Sequence, residues 1–339
     1  MIKIKKSEFI FRKNLFRECH ASTIEATPNG LVVAWFAGTK EGNKDTKIWL
    51  SRLEAGKWTK PTSVANGIYK DKRYAVWNPV LFLVPQGTLL LFYKVGFNPK
   101  KWWGEVKYSN NFGKTWSENH YLSEDIFGPT KNKPILTEDE RLICPSSTEN
   151  KGWRIHFEIS KDLGNSWKKI GPINDAKKYN VIQPSILKHG KDILQAVARS
   201  KESKIISSWS YDGGYTWSKL QPIELPNPNS AVDALTLENG LFLLVYNHSQ
   251  SEEGEWGKGE GGVWGGPRTP LNIAVSNNGK NWKRIITLED DVGEYSYPAV
   301  IQSLDGLVHI TYTWKRQTIK HTVLEPELFN ENRKMLKYN

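Results

Sequence analysis

Six short apolar segments of this chain each open on a polar or aromatic residue. They are His20 before Ala-Ser-Thr-Ile, Asn78 before Pro-Val-Leu-Phe, Lys133 before Pro-Ile-Leu-Thr, Gln183 before Pro-Ser-Ile-Leu, Asp233 before Ala-Leu-Thr-Leu and Tyr297 before Pro-Ala-Val-Ile. Together they supply an imidazole, a carboxylate, a cation, a phenol and two amides. Brought together in space, that set can accept a proton, deliver one and hold an anion. A second apolar segment follows each after a polar turn, and three of these end on Lys94, Arg199 and Asn247. Polar residues at such positions also have a plainer use, the satisfaction of backbone groups around a water-filled channel. Six unlike side chains exceed what that use requires.

The elements that position these residues come from an internal repeat. Three clear copies of one turn run Ser109 to Trp116, Ser160 to Trp167 and Ser210 to Trp217, on the pattern Ser-x-Asp/Asn-x-Gly-x-x-Trp. Weaker copies span Ser51 to Trp58 and Ser276 to Trp282. Ser and Asp bond their own backbone in such a turn, Gly supplies the positive φ, and Trp fills the gap between sheets. The spacing suits four short strands per repeat. Six inner strand pairs with five turns predict an all-β, six-bladed β-propeller, read as one domain over 1–339. The sixth blade lacks the turn, and the N-terminal strand around Glu8 to Arg12 is expected to close it.

In a propeller the inner strands line the central channel, so the six opening residues are expected to ring one mouth, with Lys94, Arg199 and Asn247 alongside. A net charge of +11 suits an anionic ligand, but the basic residues are scattered and form no nucleic-acid arm. Cys19 and Cys144 are the only cysteines, too few for a disulfide scaffold and without metal-ligand spacing. His156 and Glu158 share one face of a strand, but without further ligands they make no metal site, and no cofactor is expected. The N-terminus lacks a secretory h-region and no segment is long and apolar enough to span a membrane, which predicts a cytoplasmic protein.

The repeated turns and the ring residues resemble the sialidase (neuraminidase) superfamily over nearly the whole chain, in particular its Asp-box (BNR-repeat) sialidase-like members. The resemblance implies a catalytic tyrosine, matched by Tyr297 ahead of Asp305-Gly306, and a carboxylate-binding arginine, matched by Arg268. It implies an acid/base aspartate in a loop of blade one, for which Asp45 is nearest. The departures are as informative. His20 stands where the family has its first triad arginine, Asn247 where it has another, and Asp233 is the nearest substitute for the glutamate that activates the tyrosine.

Three functions follow as expectations. The first is an exo-acting glycoside hydrolase on an acidic sugar, with Tyr297 as nucleophile activated by Asp233 and Asp45 as proton donor. Arg268, Lys94, Lys133 and Arg199 would bind acidic groups, with Asn78, Gln183 and Asn247 completing the substrate contacts. The second is a lyase acting by β-elimination on a uronic acid, for which His20, Tyr297 and a cation supply base, acid and charge stabilisation. The third is a propeller that binds glycan or protein without chemistry. Glu149 is a further carboxylate expected at the mouth. Trp77, Trp102, Trp103 and Trp314 are candidate sugar platforms, although tryptophan in a propeller also fills core. The irregular segment Ser249 to Gly266, with Trp256 and Trp264, reads as a lid or a surface loop.

Overall fold

A computed structural model describes residues 4–250 and 267–325; most of the segment read as a lid or a surface loop, 251–266 with Trp256 and Trp264, lies outside the described residues. Six antiparallel sheets follow one another in a ring, giving a six-bladed β-propeller. Among the described residues there is no helix, and so none long and apolar enough to cross a membrane.

The innermost strands are Glu18–Thr27, Ala75–Leu83, Ile135–Leu136, Val181–Lys188, Asp233–Thr236 and Tyr295–Gln302, in blades one to six. In blades one to five the chain runs outward strand by strand. Blade six is completed by Ile4–Phe9, which pairs antiparallel with Thr318–Leu324. The closing strand therefore lies nearer the N-terminus than expected. Beyond it Ile10 still donates its N–H to Ile319 O at 3.0 Å, and the side chains of Ile10 and Phe11 pack into the layer between blades six and one, where Phe11 stacks on Trp35 at 4.8 Å.

The hydrophobic core is divided into layers between neighbouring blades. Val32, Leu50, Leu81 and Leu91 lie between blades one and two, and Val245, Ile273, Val300 and Ile310 between blades five and six. The repeated turns seal these layers. Ser160 Oγ accepts the Gly164 N–H at 2.7 Å, Asp162 Oδ1 accepts from Asn165 and Ser166, and Trp167 Nε1 donates to Gly164 O at 3.0 Å. The Ser210–Trp217 turn repeats this set, and its indole stacks on Phe157 of the preceding blade at 3.9 Å. These turns follow the third strands, at the end of the blades remote from the starts of the inner strands.

Candidate functional site

The six polar turns that end the inner strands provide an internal ruler. Val84, Thr137, His189, Leu237 and Ser303 each donate a backbone N–H across the turn, to Thr88, Arg141, Ile193, Leu241 and Leu307. Counting back from them, and from Thr27 in blade one, the equivalent residues at the channel mouth are Ala21, Asn78, Lys131, Gln183, Ala231 and Tyr297. The self-alignment of the sequence is thus corrected by one residue at His20 and by two at Lys133 and Asp233. The reason is that a residue type, a polar group before an apolar run, recurs at more than one depth of these strands.

Four of these positions share an unusual backbone. Ala21, Asn78, Gln183 and Tyr297 have φ of 55°, 40°, 57° and 52°. Each lies in a β-bulge, where the inner strand slips register against its neighbour. A bulge re-aims a side chain, and a left-handed non-glycine residue costs of order 1–3 kcal/mol unless the surroundings hold it. Asn78 is held by its Nδ2 bond to Thr130 O at 3.1 Å, and Gln183 by Asn132 Nδ2 on its carbonyl at 3.0 Å.

Tyr297 and Arg199 meet at the mouth. Arg199 Nη1 donates to Tyr297 Oη at 3.1 Å and to Gln183 Oε1 at 3.2 Å, while its Nε bonds Asn229 Oδ1. Its guanidinium also faces Trp153. The half-buried Arg268 lies beside this group with Nη1 on Asn229 O at 2.9 Å, and burial together with the Arg199 charge pushes its pKa down to about 10. Two cations are thereby concentrated at one phenol. His20 packs its ring against Tyr297, centroids 4.2 Å apart. It is buried, and burial reinforced by the charges of Arg316, Arg268 and Arg199 holds its pKa far below the ordinary histidine value, so the imidazole is neutral. Its Nδ1 has no hydrogen-bond partner, the nearest carboxylate oxygen being Glu294 Oε1 at 3.9 Å. Glu149 completes the group, its pKa raised by burial against the opposing charge of Arg199.

The remaining predicted residues lie elsewhere or are already engaged. Asp233 Oδ1 accepts from Ser185 Oγ and the Ala234 N–H, and Oδ2 accepts the Val300 N–H at 2.9 Å. Thr23 does the same for the next blade by accepting the Leu81 N–H, so Asp233 occupies an inter-blade fastening position. Asp45 takes the N–H and hydroxyl of Thr39 on its two oxygens, both at 2.9 Å, within the turn that follows the second strand of blade one. Lys133 pairs with Glu25 at 3.0 Å and donates to Leu81 O. Lys94 is buried with its ammonium on Pro129 O, and burial lowers its pKa to about 7 against the opposing charge of Glu158. Asn247 spends its amide on Arg268 O, Pro270 O and Tyr295 O, which fixes the segment carrying Arg268. His156 Nε2 and Glu158 Oε1 are 2.8 Å apart, and Glu158 accepts the N–H groups of Phe127 and Gly128.

Three residues escaped the sequence reading. Lys131 crosses the channel to Val232 O and Pro298 O, and burial brings its pKa down to about 8 against the opposing charge of Asp233. Glu294 and Arg316 form an ion pair at 2.8 Å beside His20, and Arg316 also reaches Glu41. The ruler of turn residues was present in the sequence and would have found Lys131. Nothing local marks Glu294 or Arg316, which are brought to His20 by closure of the ring.

A family model described as "BNR repeat-like domain" matches residues 29–310. No curated protein matches the chain in sequence. Among solved structures, a protein of unknown function from Dyadobacter fermentans is 18% identical with a TM-score of 0.76, covering 96% of this chain and 99% of that one. The intramolecular trans-sialidase from Ruminococcus gnavus is 13% identical with a TM-score of 0.70, over 96% and 98%. The NanB sialidase from Streptococcus pneumoniae is 13% identical with a TM-score of 0.71, over 95% and 71%. Likeness at this identity carries the fold.

Proposed function

The chain belongs to the BNR repeat-like domain family, whose fold it shares with sialidases, and from that premise we propose that it is a carbohydrate-active enzyme that cleaves a uronic-acid-containing glycan by β-elimination. One observation carries this reading: the Tyr297 hydroxyl is met by Arg199 while a neutral, unpartnered imidazole, His20, lies against the same phenol. In the reaction, Arg199 and Arg268 hold the uronate carboxylate and stabilise the charge that spreads onto it as the C5–H bond breaks. His20 takes the C5 proton, which only the neutral imidazole is able to do. The C5–H electron pair forms the C4–C5 double bond, the C4–O bond breaks, and the Tyr297 hydroxyl protonates the departing oxygen. Glu294 and Arg316 sit beside His20 as an ion pair, and the Arg316 charge helps to keep the imidazole neutral.

Product analysis tests the reading. An unsaturated uronate with conjugated ultraviolet absorbance, lighter by one water than the hydrolysis product, is expected from a panel of uronic-acid oligosaccharides. Saturated products with incorporated solvent oxygen would overturn it.

Hydrolysis of an acidic sugar is the second reading, favoured by the placement of the Asp45 loop. Gly42 of that loop lies so close to Trp77, the neighbour of Asn78, that a Cβ there would come within 3.2 Å of the indole. In this reading Tyr297 is the nucleophile and Asp45 the proton donor. It requires a carboxylate to take the phenol proton, whereas the Asp233 oxygens already accept three donors.

A further inference from the structure

Blade two carries an aromatic line that the reaction does not use. A hairpin, Ile68–Tyr69 paired with Lys72–Arg73, projects ahead of the inner strand Ala75–Leu83. Its two-residue turn has positive φ at Lys70 and Asp71, and Tyr74 N–H donates to Gly67 O at 2.8 Å. Gly67 is obligatory, since a Cβ would stand 2.1 Å from Tyr74 O. The adjoining turn, 97–101, joins the second and third strands. Gly96 pairs with both Ala75 and Trp102, so hairpin and turn lie at the mouth end of the blade, next to Asn78.

Five rings run outward from there in successive contact. Centroids are 4.9 Å apart for Phe97–Tyr74, 5.1 Å for Tyr74–Trp103, 5.3 Å for Trp103–Tyr69 and 5.1 Å for Tyr69–Tyr121. A hairpin needs a small core of its own, but this line exceeds that need. Phe97 is 63% exposed, Tyr121 50% and the neighbouring Ile68 46%. Exposed rings gain little from burial and so point to a partner that covers them. Lys70, Lys72, Arg73, Lys100 and Lys101 are exposed around the line, with Asp71 the single acid in the hairpin and turn. Glu105, the carboxylate beside Trp103, is buried and bonded to Trp103 and Tyr93. The expected sugar platforms Trp77 and Trp102 are instead buried, in a separate cluster with the half-buried Phe127.

We propose that this line is a second glycan-binding surface, which holds the stretch of an acidic polysaccharide beyond the bond that is cleaved. The rings offer stacking faces for pyranose units, and the five cations suit regularly spaced carboxylates. The proposal rests on the carbohydrate substrate argued above, and it is independent of whether cleavage is by elimination or hydrolysis.

Affinity electrophoresis of the full chain through gels containing alginate, polygalacturonate or neutral dextran tests it. Retardation is expected with at least one acidic polymer and not with dextran. Phe97→Ala combined with Tyr121→Ala is expected to weaken that retardation about tenfold. Tyr211→Ala removes an exposed ring at the opposite end of the propeller and should leave it unchanged. Both changes are at exposed positions, so melting curves matching the parent are expected. Absence of retardation of the parent by both acidic polymers, or equal retardation of parent and double variant, would overturn the proposal. Ring-dependent retardation without an unsaturated product would sink the elimination reading alone, and elimination without retardation would sink this surface alone.

Discussion

The two ends of the propeller repeat different things. At the end with the Ser-x-Asp-x-Gly-x-x-Trp turns, residue identities recur and so do their hydrogen bonds, as the Ser160 and Ser210 turns show. At the mouth, backbone geometry recurs at Ala21, Asn78, Gln183 and Tyr297 while side chains differ. Each turn performs the same task for one gap between blades, so one solution serves repeatedly. The mouth residues converge on one shared space, where six identical groups would repel or duplicate one another. Repetition of identity marks fastening, and repetition of backbone with varied side chains marks a site.

Changes at the two ends should therefore separate activity from stability. Tyr297→Phe should reduce turnover by about a thousandfold, within the range for loss of a proton-transfer group. Its melting temperature should stay at the parent value. A matching fall in stability would place Tyr297 with the fastening residues. Trp217→Ala should do the opposite, costing about 3 kcal/mol in denaturant unfolding through the lost stack on Phe157. Its turnover per folded molecule should equal the parent's.

Asp233→Asn probes the boundary between the two classes. Its oxygens join blades four, five and six, so a loss of about 1–2 kcal/mol is expected from one mismatched buried bond. Turnover per folded molecule should change little. A loss of activity as large as that of Tyr297→Phe, with stability intact, would restore Asp233 as the activator of the phenol.

A pH-dependent effect concerns the closing blade. His309 bonds His321, which in turn reaches Glu8 on the closing strand, and burial plus the neighbouring imidazole lowers the His309 pKa from 6.5 to about 4. Between those values the unfolded chain binds the proton more readily, so stability falls as pH drops from about 6.5 toward 4 and levels off below. Urea titrations across this range should show the slope, and His309→Gln should flatten it. His20 is neutral for the same reason, so the acid limb of activity should lie well below the ordinary histidine range.

Much of this was legible in the chain. The turns announced blade number and phase because their chemistry is local: Ser, Asp, Gly and Trp bond within eight consecutive residues. Second strands and the closing role of the N-terminus followed from the same count, with an error at the closing strand because Ile10 and Phe11 serve the core. The mouth was less legible. Tyr297, Arg199, Gln183 and Asn78 were found, since a Pro or a strand end flags them. Lys131 was passed over in favour of Lys133, because both precede the same apolar run and only the turn bond places the register.

By itself the sequence determined the six-bladed propeller, since blades one to five, and three strands of the sixth, are built from contacts short in sequence. Only the tertiary structure decided which polar groups share a space. Arg199 meets Tyr297 across 98 residues, and Arg316 reaches Glu41 across 275. Such pairs leave no local trace, because ring closure, rather than chain continuity, brings them together.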